Sequence, residues 1–199
     1  MVQGLRPGYL VVLEGLDKAG KTTQFEQLQD RLAPDAVTFA HMPTGFTPFT
    51  RAVRQLLEEQ GSKPTSGLAQ QLAHLACHAE SQAALRAHLV TGAVVLDRWW
   101  WSTWAYGWFG GSIKESGMPE EVFERLIASV WDGIEAQVVF LFDSPHEEDA
   151  NNNPAVAAGY DALSSRFPEL ALRVPHGEIG DVTDWILSEL DRRELLRGV

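Results

Sequence analysis

The sequence predicts a three-layer α/β fold, a five-stranded parallel sheet with helices on both faces. Three observations carry this. Apolar strand-like runs alternate with helical patterns along the chain, and such alternation builds right-handed βαβ crossovers. The first run, Tyr9–Glu14, leads into a glycine-containing turn and then into a helical pattern beginning at Lys21. The 199 residues, 45% hydrophobic and 22% charged, suffice for one α/β domain with a sizeable core. A single domain over residues 1–199 is therefore expected, with no internal repeat or linker.

The strands are predicted at Tyr9–Glu14, Ala36–His41, Ala93–Asp97, Val138–Phe142 and Leu170–Val174. Each is a short apolar run of the kind a buried strand requires. The helices are predicted at Lys21–Leu32, Pro48–Gln60, Gly67–Val90, Arg98–Phe109, Glu120–Trp131, Pro154–Phe167 and Val182–Arg197. Two segments break the pattern. Gly107–Met118 carries glycines at 107, 110, 111 and 117 and reads as a flexible loop. Asp143–Pro154, acidic and asparagine-rich, reads either as an ordinary surface loop or as a short lid over a ligand.

Open parallel sheets bind ligands at the carboxyl ends of their strands, and the first strand ends in the most specific signal of the chain. Gly15-Leu16-Asp17-Lys18-Ala19-Gly20-Lys21-Thr22 fits the phosphate-binding P-loop pattern G-x-x-x-x-G-K-[ST], in the strand-to-helix context that the pattern demands. Gly15 and Gly20 let the backbone curl so that successive N–H groups face phosphate oxygens, and the helix that follows presents its positive dipole end. Lys21 is placed for the β- and γ-phosphates and the Thr22 hydroxyl for Mg²⁺. The fold class is thus that of the P-loop NTPases. Residues Gly15 to Thr23 form the predicted ATP-binding segment, with ATP and Mg²⁺ the implied donor and cofactor. A second constellation closes the third strand, Val94-Val95-Leu96-Asp97-Arg98. An acid here holds Mg²⁺ or its waters in P-loop proteins and an adjacent arginine suits a phosphate. A capping aspartate beside a surface arginine is the other reading.

Composition narrows the partners. A net charge of −11 argues against a nucleic-acid surface, which is normally basic. No apolar stretch is long enough to span a membrane. A single cysteine, Cys77, precludes an internal disulfide and suits a reducing, cytoplasmic setting.

The run Asp97-Arg98-Trp99-Trp100-Trp101-Ser102-Thr103-Trp104-Ala105-Tyr106 closely resembles the thymidylate kinase pattern D-R-Y-x-x-S-x-x-A-Y. The P-loop with its flanks, Leu13-Glu14-Gly15-Leu16-Asp17 and Gly20-Lys21-Thr22-Thr23-Gln24, is similar to that family's. Pro43–Arg54 resembles its P-G-G-T-P…I-R-x-L-L stretch with one extra residue, and Leu72–Ser81 stands at its L-L-F-A-A-D-R helix. The resemblance implies phosphorylation of a deoxynucleoside monophosphate such as dTMP, with Lys18, Lys21, Arg98, Asp17 and Asp97 as the catalytic set. It implies that Asp17 contacts the acceptor's sugar or a Mg²⁺-water shell and that Lys18 stabilises the transferring phosphoryl group. Arg98 would bind the acceptor's phosphate, Thr103 would lie near its base, and Tyr106 would pack under the deoxyribose. Thr22 and Asp97 would hold the metal, and the family's habit of packing helices implies a homodimer.

The departures fall on the acceptor side. His41-Met42 stands where the family has an arginine before its proline, and His74 and His78 replace the stacking aromatic and the base-binding arginine. Four apart, the two histidines share a helical face, serving either as an altered base site beside Met42 or as half-buried helix histidines; no third ligand points to a metal. Arg51 and Arg54 either compensate for the lost acceptor arginine or lie on a solvated face. No Lys or Arg occurs between Arg125 and Arg166, so the lid offers no arginine finger and Lys18 is left with that work. Trp100, Trp104 and Trp108 form an i, i+4, i+8 stripe, read as core or subunit interface. Two other functions stay open: a related enzyme acting on a modified pyrimidine nucleotide or base hydroxyl, and a nucleotide-binding module with little catalysis.

Overall fold

A computed structural model describes residues 3–33, 35–59 and 61–198. The sheet is five-stranded and parallel, in the order β3-β4-β2-β5-β6. Its strands are β2 (Leu10–Gly15), β3 (Val37–His41), β4 (Ala93–Asp97), β5 (Val138–Phe142) and β6 (Ala171–Arg173). The three central strands, β2, β4 and β5, are buried at every residue, which explains why they read as unbroken apolar runs rather than alternating ones. The register pairs Leu13 and His41 with Asp97, and Gly15 with Phe142. The P-loop, His41 and Asp97 thereby come together at one edge of the sheet.

The helices are α1 (Lys21–Arg31), α2 (Pro48–Glu58), α3 (Gly67–Thr91), α4 (Trp100–Ser102), α5 (Glu120–Trp131), α6 (Pro154–Arg166) and α7 (Ile179–Arg192). Their starts are written in the sequence. Thr47 and Thr50 form a reciprocal capping box with Pro48 in the first turn of α2. Ser66 caps α3, and the Asn153 side chain accepts from Ala155 N and Val156 N at 2.9 and 3.0 Å at the start of α6. The end predicted for α2, Gln60, lies outside the described residues.

Three segments differ from expectation. After α4 the chain continues through Thr103–Phe109 as a π-helical stretch, with Gly110 N donating to Ala105 O at 2.8 Å. The glycine-rich stretch 107–118 is not an open loop, since Ile113 is fully buried and its N–H donates to Gly107 O at 2.9 Å. The last helix ends at Arg192, and Leu196–Gly198 forms a strand, β7, antiparallel to β1 (Gln3–Leu5). The tryptophan stripe belongs to the core of the chain itself: Trp104 and Trp108 stack on Phe123 of α5 with ring centroids 5.2 and 6.1 Å apart, while half-buried Trp100 meets Phe167 edge-on.

Candidate active site

The P-loop turn depends on two glycines. Gly15 has φ 131°, and a Cβ there would stand 2.0 Å from the Phe142 carbonyl oxygen. Gly20, the N-cap of α1, has φ 91°. No acid occupies the first turn of α1, which leaves its free N–H groups and dipole for an anion. Lys21, nearly buried, donates from Nζ to Leu16 O at 2.5 Å. Burial, helped by the positive charge of Arg98, lowers its pKa to about 8.

A cavity of about 910 Å³ runs from this loop across the sheet edge. Asp17 to Thr23 line it together with Met42, His74, His78, Arg98, Thr103 and Tyr106, and Asp17 joins the two groups through Arg98 and Tyr106. One concave space thus joins the predicted donor and acceptor residues. Gly15 and Leu16, nominated with the loop, are not among its lining residues. Arg54 is not brought there. Half-buried on α2, it forms an i,i+4 pair with Glu58 at 2.7 Å, and Arg51 bonds Gly45 O at 2.8 Å. Arg54 shares a helical face with the buried Thr50 and Leu57, but its guanidinium is taken by Glu58. Lys63 and Gln71 line the cavity without having been nominated from sequence.

At the centre, Arg98 adopts a left-handed backbone, φ 71°. Its guanidinium pairs with the Asp17 carboxylate, donates to Ser102 Oγ at 2.9 Å and lies 5.4 Å from the centroid of the Tyr106 ring. Burial disfavours its charge, but Tyr160, Asp17, Tyr106 and Glu14 around it prevail and raise its pKa. Asp97 is buried; His41 Nδ1 stands 2.9 Å from its Oδ2, and its Oδ1 has no hydrogen-bond partner among the described residues. Burial pushes the Asp97 carboxyl up, yet the His41 bond and the charges of His41, Arg98 and Lys21 outweigh it and hold the pKa low. An ionised carboxylate with a free buried oxygen remains.

His74 and His78 are neutral. Burial dominates for both and lowers them to about 4 and about 3, with Arg98 adding to the effect at His74. His78 Nδ1 accepts from Trp131 Nε1 at 3.4 Å, so its Nε2 carries the proton. Tyr106, pushed by burial up to about 12, is a phenol at neutral pH.

The 143–153 loop folds onto the P-loop. His146 N donates to Lys18 O at 2.9 Å. The Asn152 amide grips the Asp17 backbone, donating to its carbonyl at 2.7 Å and accepting from its N–H at 2.8 Å, and it also accepts from Tyr106 OH at 3.2 Å. Lys18 Nζ is 3.9 Å from Glu147 and largely exposed. A smaller cavity, about 160 Å³, continues beyond Gly20 between Gln24, His146, His176 and Ile179. Asn152, Glu14 and this second cavity are the features that motif reasoning missed. The one available signal was an acid, Glu14, ending an otherwise apolar strand.

Fold and site define a class, the P-loop phosphotransferases of the nucleoside monophosphate kinase type. The structure superposes on thymidylate kinase from Ehrlichia chaffeensis with a TM-score of 0.76 at 22% identity, covering 94% of this chain and 100% of that one. The family model described as thymidylate kinase matches residues 13–152. Thymidylate kinase of Chromobacterium violaceum is 32% identical over 150 residues, 74% of this chain and 68% of the relative. That of Ectopseudomonas mendocina is 32% identical over 144 residues, 70% of this chain and 66% of the relative. The match thus spans about two thirds of the length of these relatives. The chain belongs to the thymidylate kinase family.

Proposed function

We propose that this protein transfers the γ-phosphoryl group of ATP to the 5′-phosphate of dTMP, giving ADP and dTDP. The observation that carries the reading is one cavity lined both by the P-loop and by Arg98, Thr103, Tyr106 and the two neutral histidines. The bond between the γ-phosphorus and the β,γ-bridging oxygen breaks, and one forms to an oxygen of the acceptor's phosphate. That oxygen is already ionised, so no general base is needed, and the protein contributes position and charge.

The P-loop N–H groups and Lys21 hold the donor's phosphates, and the smaller cavity beyond Gly20 takes its base. Arg98 binds the acceptor's phosphate, and Asp17, joined to Arg98, orients the sugar over Tyr106. Lys18 reaches the transferring group, which the lid, without Lys or Arg, leaves to it. The 143–154 segment serves as that lid; its bonds from Asn152 and His146 to Asp17 and Lys18 support this. Mg²⁺ fits the donors present, since the free Asp97 Oδ1 is a buried anionic oxygen and the Thr22 hydroxyl is a second hard ligand; it would supply charge neutralisation on the phosphates. Phe49, Leu56 and Leu72, large apolar side chains exposed on α2 and α3, support a homodimer through these helices. No helix among the described residues is long and apolar enough to cross a membrane. The lone cysteine, Cys77, free and buried, supports a cytoplasmic setting.

A coupled ADP-release assay over all deoxynucleoside monophosphates tests the reading. Acceptor-dependent turnover is expected with dTMP in the presence of Mg²⁺. No turnover with dTMP alongside turnover with another monophosphate would refute the assignment.

A further inference from the structure

Glu14 is the penultimate residue of β2, immediately before the P-loop's Gly15, and is completely buried. It does not line the cavity, yet five donors converge on its carboxylate. Oε1 accepts from Trp99 N at 2.7 Å and Ser102 N at 2.9 Å. Oε2 accepts from Ser102 Oγ at 2.6 Å, Tyr160 OH at 3.0 Å and Gly15 N at 3.3 Å. A buried carboxylate is costly unless its lone pairs are filled, and here three of the five donors come from one short segment, residues 99–102. That segment starts α4, whose own N-cap, Trp99, offers no side-chain cap. Glu14 therefore caps α4 from a neighbouring strand.

What the cap holds is Arg98. Its φ of 71° is unfavourable for a residue with a Cβ and persists only where neighbours enforce it. On one side Arg98 N is tied to Leu13 O at 2.9 Å; on the other, Trp99 N is tied to Glu14. Ser102 links the two groups directly, donating to Glu14 and accepting from Arg98. We propose that Glu14 is a positioning residue for the acceptor: by capping α4 it fixes the turn that aims Arg98 into the cavity, and it acts through Arg98 alone. This rests on the reading above, in which Arg98 binds the acceptor's phosphate.

Equilibrium binding of dTMP and of ATP to the full chain, measured separately, tests it with Glu14→Gln, Arg98→Gln and the double variant. Glu14→Gln is expected to weaken dTMP binding about tenfold or more while ATP binding stays within about twofold. In the Arg98→Gln background the same change is expected to add nothing, the signature of one residue acting through another. Tyr160→Phe, which keeps the carboxylate but removes one of its donors, is expected to give a smaller loss confined to dTMP, and it stands in if Glu14→Gln does not fold. Unchanged dTMP binding, equal losses for both nucleotides, or additive losses in the double variant would each overturn the proposal. If the wild-type chain binds ATP but no monophosphate, the functional reading falls, and this inference with it. Wild-type binding of dTMP with no effect of Glu14→Gln or Tyr160→Phe sinks the inference alone.

Discussion

Replacing Arg98 by Gln removes a cation that the structure holds against Asp17, Ser102 and the Gly15 carbonyl. The arginine side chain is 18% exposed, so an acceptor phosphate docked on it would be largely desolvated. Truncating one partner of such a buried, hydrogen-bonded charge pair costs about 2–5 kcal/mol. At about 1.4 kcal/mol per factor of ten, kcat/KM for dTMP is expected to fall by about 30- to 4,000-fold. ATP should respond in the opposite sense. The charge of Arg98 helps to depress the Lys21 pKa, so its removal leaves Lys21 more fully protonated and ATP binding unweakened. The assay is coupled ADP release at varied dTMP and saturating Mg·ATP, with ATP affinity titrated independently and folding checked by thermal denaturation. A loss below about fivefold in kcat/KM, or a parallel loss of ATP affinity in a folded protein, would refute this role for Arg98.

Lys18→Ala is expected to lower kcat by about a thousandfold, the lower end of what a transition-state cation contributes, with ATP affinity kept; an unchanged kcat in the same assay would remove Lys18 from the mechanism. Asp97→Asn is expected to raise the Mg²⁺ concentration needed for half-maximal rate, read from a metal titration, because it leaves a neutral amide where a buried anionic oxygen had no partner. His74 and His78, depressed to about 4 and about 3 in the folded chain, bind protons more readily when unfolded. Stability from these two groups is therefore lost as pH falls from about 6.5, by up to about 2 kcal/mol per histidine at pH 5. Chemical denaturation at pH 7 and 5 should show a smaller drop for His78→Gln than for the wild type. Glu14, whose pKa burial raises, acts with the opposite sign and is common to both proteins. Gly15→Ala is expected to prevent stable folding, since its Cβ would meet the Phe142 carbonyl; a soluble variant with wild-type melting behaviour would contradict the geometry.

Short-range chemistry made much of this molecule legible. The P-loop, the buried strands and the starts of α2 and α6 are each specified within a few residues: a glycine that only a left-handed turn requires, an apolar run, a Thr-Pro or Asn-Pro pair at a helix entrance. The acceptor end was legible as a set of residues and not as an arrangement. Arg54 stands in a position that pattern matching nominates, but its guanidinium is taken by Glu58 one turn on, and it does not line the cavity. The tryptophans marked an apolar surface, and only the packing of α5 and the chain after α6 decided that the same chain covers it.

The contacts that organise the site join residues far apart in sequence. Ser102 meets Glu14 across 88 residues and Asn152 meets Asp17 across 135. The antiparallel pairing of β1 with β7 likewise joins short strands with no periodicity to announce them. The sequence alone specifies the donor end, because phosphate binding needs one contiguous loop whose backbone does the work. Where Arg98 points, what holds it there and what covers the P-loop are properties of side chains from different elements. Tertiary structure decides them, because no local propensity encodes which distant carboxylate or amide arrives to satisfy a buried N–H.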